Sequence, residues 1–179
     1  MKAAHVALLI SHKDFQPAEY HSTRTALEAH GIRVITLSNN PGHATATDGT
    51  TIPVDNTLEH FHLADCKGFF IIGGPGALEH LDNTLVYKKI KDAETAKLPF
   101  GAICISPRIL LKAGVMKNVA MTGWDEDPSM PLAPLTKQYG ATYLRGHPVV
   151  RHEKIITANG PAAAAEFGKT IAQVVLHKI

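Results

Sequence analysis

Apolar residues come in short unbroken runs, and between the runs the spacing turns helical. Ala4 to Ile10 is apolar except for His5, the pattern of a strand buried on both faces. Pro17 suits a first helical position, so a helix is predicted from there to His30, with Gly31 as its stop. Ile32 to Leu37 alternates as a second strand. Residues 39 to 57 are rich in Asn, Gly, Thr and Asp and predict a hairpin or an irregular excursion. Gly68 to Ile72 is a further strand, ending in Gly-Gly-Pro-Gly. A helix from Asn83 or Thr84 to Lys97 follows, then a strand from Phe100 to Ile103. Pro107 to Ala113 is helical and closed by Gly114. Val119 to Thr122 is short and strand-like, and residues 125 to 137, with three prolines, read as a turn-rich loop. Ile155 to Ala158 is the last strand and Pro161 to His177 the last helix.

Strands alternating with helices predict an α/β fold, a mainly parallel sheet with helices on both faces. The chain has 179 residues and shows no internal repeat or linker, so one domain, 1–179, is expected. Apolar residues make up 45% and the formal charge is +2. That balance offers nothing to a nucleic acid, and there is no apolar run long enough for a membrane span. The start, MKAAHVALLISHKDF, lacks a signal-type cleavage site. Two cysteines, Cys66 and Cys104, are too few for a disulfide framework. A reducing, cytoplasmic setting is the expectation.

In such folds the chemistry gathers at the carboxyl ends of the strands. Cys104 stands there, between a strand and a helix. A sharp strand-to-helix turn brings the residues two before and two after it together, so both must be small. Here they are Ala102 and Ser106. The nearby helix end favours a thiolate. Cys66, in LADCKG, has nothing beside it to activate it and reads as packing. Gly73 and Gly74 can aim backbone N–H groups at an oxyanion. Glu19 lies in the first turn of the first helix, at the same edge of the sheet. Ser106 lacks a nucleophile setting of its own. His60 and His62 would share one face of a strand, but no metal-binding spacing supports them. Asp125, Glu126 and Asp127, after Trp124, could line a pocket mouth, although such a charge run is usually a solvated face.

Together these segments resemble the ThiJ/PfpI family. The likeness rests on AICISPRILLKAGVMKN around Cys104, IIGGPGAL, DFQPAEY and ITANGPAAAAEFGKTIAQVV. It implies a flavodoxin-like, class I glutamine amidotransferase-like sandwich. By resemblance Cys104 is the reactive cysteine, Glu19 its hydrogen-bonding partner and Gly74 an oxyanion donor, with Ile105 supplying the second backbone N–H. Gly73, Ser106 and Trp124 line the pocket. Ile105 stands where protease-like members carry His, Trp124 where many deglycase-like members carry His or Tyr, and Ser106 where Gly is usual. The Cys-His pair for acyl transfer is therefore missing and protease activity is disfavoured. The resemblance implies a glyoxalase- or deglycase-like enzyme without cofactor or metal. Its substrates would be small carbonyls or modified protein side chains, and the protein a homodimer. The alternatives are a redox-responsive stress protein whose Cys104 oxidises to a sulfinate, and a non-catalytic member of the family.

Overall fold

The computed structural model describes residues 4–176; Met1 to Ala3 and His177, which the sequence reading included, lie outside them. In chain order the strands are β1 (His5–Ile10), β2 (Lys13–Phe15), β3 (Arg33–Ser38), β4 (His43–Ala46), β5 (Thr51–Pro53), β6 (Asn56–Thr57) and β7 (Phe69–Ile71), then β8 (Phe100–Ile103), β9 (Ala120–Met121), β10 (Thr142–Tyr143), β11 (Val149–His152) and β12 (Ile155–Ala158). The helices are α1 (Pro17–Glu28), α2 (Pro75–His80), α3 (Thr84–Thr95), α4 (Pro107–Ala113), α5 (Leu132–Gln138) and α6 (Ala164–Leu176).

Seven strands form the main sheet in the order β11-β12-β8-β7-β1-β3-β6. Every pairing in it is parallel except β11 with β12. Parallel strands need crossovers, and the crossover helices bury both faces of the sheet. Along β1 the side chains divide accordingly. Val6, Leu8 and Ile10 join a cluster with Leu27 of α1 and with Phe167 and Ile171 of α6. Ala7 and Leu9 join one with Ile90 of α3 and Ile109 of α4. The unbroken apolar run of β1 is thus the signature of a strand with two dry faces.

α1 and α6 lie against each other on one side of the sheet. Gly168 is where they touch: a Cβ there would meet Ala26 Cβ and the Thr23 carbonyl at 2.7 Å. Only glycine permits that approach, and it ties the last helix to the first.

The structure departs from the sequence reading at short or Pro-containing segments. Residues 39–57 do form a hairpin, β4 against β5. The turn after β7 continues into α2, with Pro75 in its first turn. The 125–137 segment is not loop throughout, because α5 begins at Leu132. β9 pairs with the unforeseen β10 in a separate two-stranded sheet. The last helix opens with a 3₁₀ turn, Pro161–Ala163. His60 and His62 do not share a strand. They follow β6 in a turn, where His60 Nδ1 lies 2.8 Å from Thr57 Oγ1.

Candidate functional site

β8 carries the chain to the carboxyl edge of the sheet, and Cys104 turns it. Its φ is +64°, in the left-handed region, which costs a non-glycine residue about 1–2 kcal/mol. Both backbone groups are held from outside the turn. Cys104 N–H donates to the Ala158 carbonyl at the end of β12 at 2.9 Å, and its carbonyl accepts from Trp124 N–H at 2.8 Å. Ser106 is small for a further reason. It is fully buried, and its Oγ donates at 2.8 Å to the Ile72 carbonyl just beyond β7, so the hydroxyl serves the turn.

Glu19 enters from α1. It is fully buried, and its Oε2 accepts at 2.8 Å from Gly73 N–H. Gly73 fills the gap between acid and thiol. A Cβ on it would stand 2.6 Å from Cys104 Cβ and 2.7 Å from Glu19 Oε2. The Gly73 carbonyl accepts from Gln16 N–H at 3.0 Å, which fixes the start of α1 against the glycine turn. Cys104, Glu19, Gly73 and Gly74 are therefore brought together at one edge of the sheet.

Burial raises the Glu19 carboxyl from 4.5 to about 7, against opposing pulls from the Cys104 thiol and Gly73 N–H. Burial and the neighbouring carboxylate push the Cys104 thiol up, while N–H groups of Ile105 and Gly74 pull it down. This differs in direction from the helix-end argument made on the sequence, because desolvation of a half-closed sulfur outweighs a short helix end. The two groups hold at most one negative charge between them near neutrality. Thiol and carboxyl lie close enough to shift each other's ionisation, yet Glu19 Oε1 is buried without a hydrogen-bond partner.

Ile105 is 5% exposed and packs into the core. Its side chain offers no base, and its N–H is the group that faces the site. Among the described residues no histidine hydrogen-bonds to Cys104 or Glu19. Trp124 is half-buried and lines a cleft of about 350 Å³ with Asp125, Tyr143, Arg145 and Asn159. Cys66 is buried, with Sγ donating to the Leu63 carbonyl at 3.4 Å, and burial pushes its thiol up to about 11. Among the described residues no group of three or more His, Cys, Asp or Glu gathers as a metal site, and no helix is long and apolar enough to cross a membrane.

Two residues carry more than the sequence reading gave them. Asp125 is not simply part of a solvated face: Oδ1 accepts from Leu132 N–H at 2.6 Å, and Oδ2 lies 3.2 Å from Tyr143 Oη and 2.9 Å from Arg145 Nη2. No local signal gave this, since it lies seven residues before the Leu132 N–H it accepts from. The other is Arg108. A basic residue in an otherwise apolar helix start, PRILLKA, is a sign of a buried cation with partners of its own.

Comparison with known proteins agrees with this architecture. The model of the DJ-1/PfpI family matches residues 4–174. Protein MJ0967 of Methanocaldococcus jannaschii is 30% identical over 98% of this chain and 84% of its own length. The glutathione-independent glyoxalase DJR-1.2 of Caenorhabditis elegans is 24% identical, over 93% of this chain and 86% of its own. Among solved structures, a ThiJ/PfpI domain protein from Brachyspira murdochii superposes with a TM-score of 0.89 at 20% identity, covering 98% of both chains. That likeness is one of fold. With a family match that runs almost from end to end, the chain belongs to the DJ-1/PfpI family.

Proposed function

We propose that the protein is a cofactor-independent cysteine enzyme acting on reactive carbonyls, in the manner of a glyoxalase or deglycase. The observation that carries the reading is Glu19, a fully buried carboxyl raised to about 7 beside a thiol on a left-handed turn. A carboxyl poised near neutrality can take a proton and return it within one cycle. The glyoxalase relative supports the same class of chemistry.

For methylglyoxal the steps balance without an oxidant. Sγ of Cys104 adds to the aldehyde carbon, and the carbonyl π pair moves onto oxygen, facing the N–H groups of Gly74 and Ile105. The thiol proton reaches that oxygen through Glu19, giving a hemithioacetal. Glu19 carboxylate then takes the proton from the former aldehyde carbon, whose electron pair forms the double bond of an enediol as the neighbouring ketone oxygen takes up a proton. The hydroxyl on the thiol-bearing carbon gives up its proton as its carbonyl forms, and Glu19 delivers its proton to the neighbouring carbon, giving a lactoyl thioester. Water cleaves the thioester, releasing lactate and restoring the thiol. Adducts on protein side chains would use the same first steps. Peptide hydrolysis is not part of the proposal, because Ile105 cannot serve as a general base. A homodimer is included on the strength of family likeness alone, and a cytoplasmic setting on that of the low cysteine count.

One observation favours a second reading. Glu19 Oε1 has no partner, and a sulfinate formed at Cys104 by peroxide would give it one. The protein would then respond to oxidant without turnover. Lactate production from methylglyoxal, compared with Cys104→Ser, tests the first reading. Turnover no higher than that control would overturn it. Stable gain of two oxygens at Cys104 after mild peroxide would then uphold the second, and no gain would leave a non-catalytic protein.

A further inference from the structure

Arg108 sits in a helix with almost no polar face: of the seven residues of α4, only Lys112 is exposed. Arg108 itself is 6% exposed. Among the described residues no carboxylate forms a salt bridge with it. Its Nη2 donates to the Trp124 carbonyl at 3.2 Å and to the Met130 carbonyl at 2.6 Å, and its Nε is buried without a partner. Asp125 and Asp127 act on it only through space, and burial still pulls its ionisation down, so the guanidinium is held there at a desolvation cost. Packing does not account for it, because a leucine or methionine fills such a place more cheaply.

What Arg108 touches gives the account. Residues 122–131 form neither helix nor strand, and the two carbonyls that Arg108 holds lie near the two ends of that segment. The first of them belongs to Trp124, whose N–H donates to the Cys104 carbonyl. The guanidinium is therefore two hydrogen bonds from the strained residue of the turn, along Arg108–Trp124–Cys104. Trp124 also walls the neighbouring cleft.

We propose that Arg108 is a positioning residue, which clamps the Trp124–Met130 segment at both ends and so holds Trp124 against the Cys104 turn. The functional meaning rests on the reading of Cys104 given above, but the clamp can be measured without it. One nitrogen makes both bonds, so a lysine ammonium can replace it, whereas methionine keeps the apolar stem and loses both donors.

The experiment is hydrogen exchange at the Trp124 amide in the whole protein, with the amides of β8 as internal control. Exchange of a locally protected amide follows the population of the open state. Losing one hydrogen bond to a charged group, about 1.5 kcal/mol, raises that population roughly tenfold. Arg108→Met should therefore speed Trp124 exchange about tenfold and leave β8 unchanged, and Arg108→Lys should restore the native rate. Unchanged Trp124 exchange, or equal acceleration at Trp124 and β8, would overturn the clamp. If Arg108→Met does not fold, Arg108→Gln, whose amide ends short of both carbonyls, serves in its place with the same expectation. If neither folds, the unaltered protein in sub-denaturing urea decides. Opening of Trp124 in a step of its own upholds the clamp, and opening only together with β8 refutes it. Faster Trp124 exchange in a protein that never turns over methylglyoxal would keep the clamp and remove the carbonyl reading. Normal exchange with lost turnover would do the reverse.

Discussion

Replacing Glu19 by glutamine should change how stability depends on pH, by an amount that follows from the burial of its carboxyl. In the folded protein the carboxyl titrates at about 7 instead of 4.5. Between those values the folded state holds a proton that the unfolded state has released. Stability then falls as pH rises, since the folded state binds the more protons. The contribution is fully present below 4.5 and gone once pH has passed through about 7. At about 1.4 kcal/mol for each pH unit, that interval corresponds to a loss of about 3 kcal/mol. Glutamine preserves the volume and an oxygen for Gly73 N–H but has no proton to lose. Urea unfolding of both proteins at half-unit steps from pH 4.5 to 8 gives the difference directly, because every other titrating group cancels to first order. The gap between the curves should move steadily in favour of Glu19→Gln as pH rises and level off above neutrality. Parallel curves would mean that Glu19 ionises in the folded protein as it does in water, and the argument for a neutral-range acid would fail.

Two further outcomes follow from the same geometry. Limiting iodoacetamide should label Cys104 before Cys66 in peptide mass mapping, because Cys104 is half-open to solvent and Cys66 only 5% exposed; equal or reversed labelling would contradict the assignment. Gly73→Ala should lose methylglyoxal turnover and about 1–3 kcal/mol of stability in urea unfolding, since its Cβ would press on Cys104 and Glu19 at once; full activity in that variant would show that the two side chains need not lie in contact.

The turn at Cys104 was legible because its demands are local. Ala102 and Ser106 had to be small, Pro107 had to open a helix and Gly114 had to close it, and each of these is a statement about neighbours in sequence. Glu19 was legible as a neighbour of the Cys104 turn from its place at the same sheet edge, but its role came only through likeness to the family, since an acidic residue in a first helical turn is ordinary by itself. The direction in which Cys104 titrates was not legible. It depends on desolvation by residues from several distant elements, which no spacing encodes. α2 and α5 went unseen because each is short and carries proline near its start, where the apolar period has no room to repeat. β11 went unseen because its second half, Arg151 and His152, is polar at the edge of the sheet. Arg108 was in plain view. Its helix is apolar nearly all round, so a charge within it had to be buried, but the carbonyls it would find lie on a loop that the sequence does not place.

The contact of α1 with α6 through Gly168 bears on when the site comes into being. Glu19 is made among the first residues of the chain and α6 among the last. Chains emerge from their amino ends, and domains complete as units once their closing element is free. A ribosome-bound chain ending before Ala164 holds both Glu19 and Cys104 yet lacks the helix against which α1 is seated. Contacts between sequence-distant residues form late because they must first overcome loop closure. The seat of α1, and with it the place of Glu19 beside Cys104, is thus completed by a contact across most of the chain length rather than by neighbours in sequence.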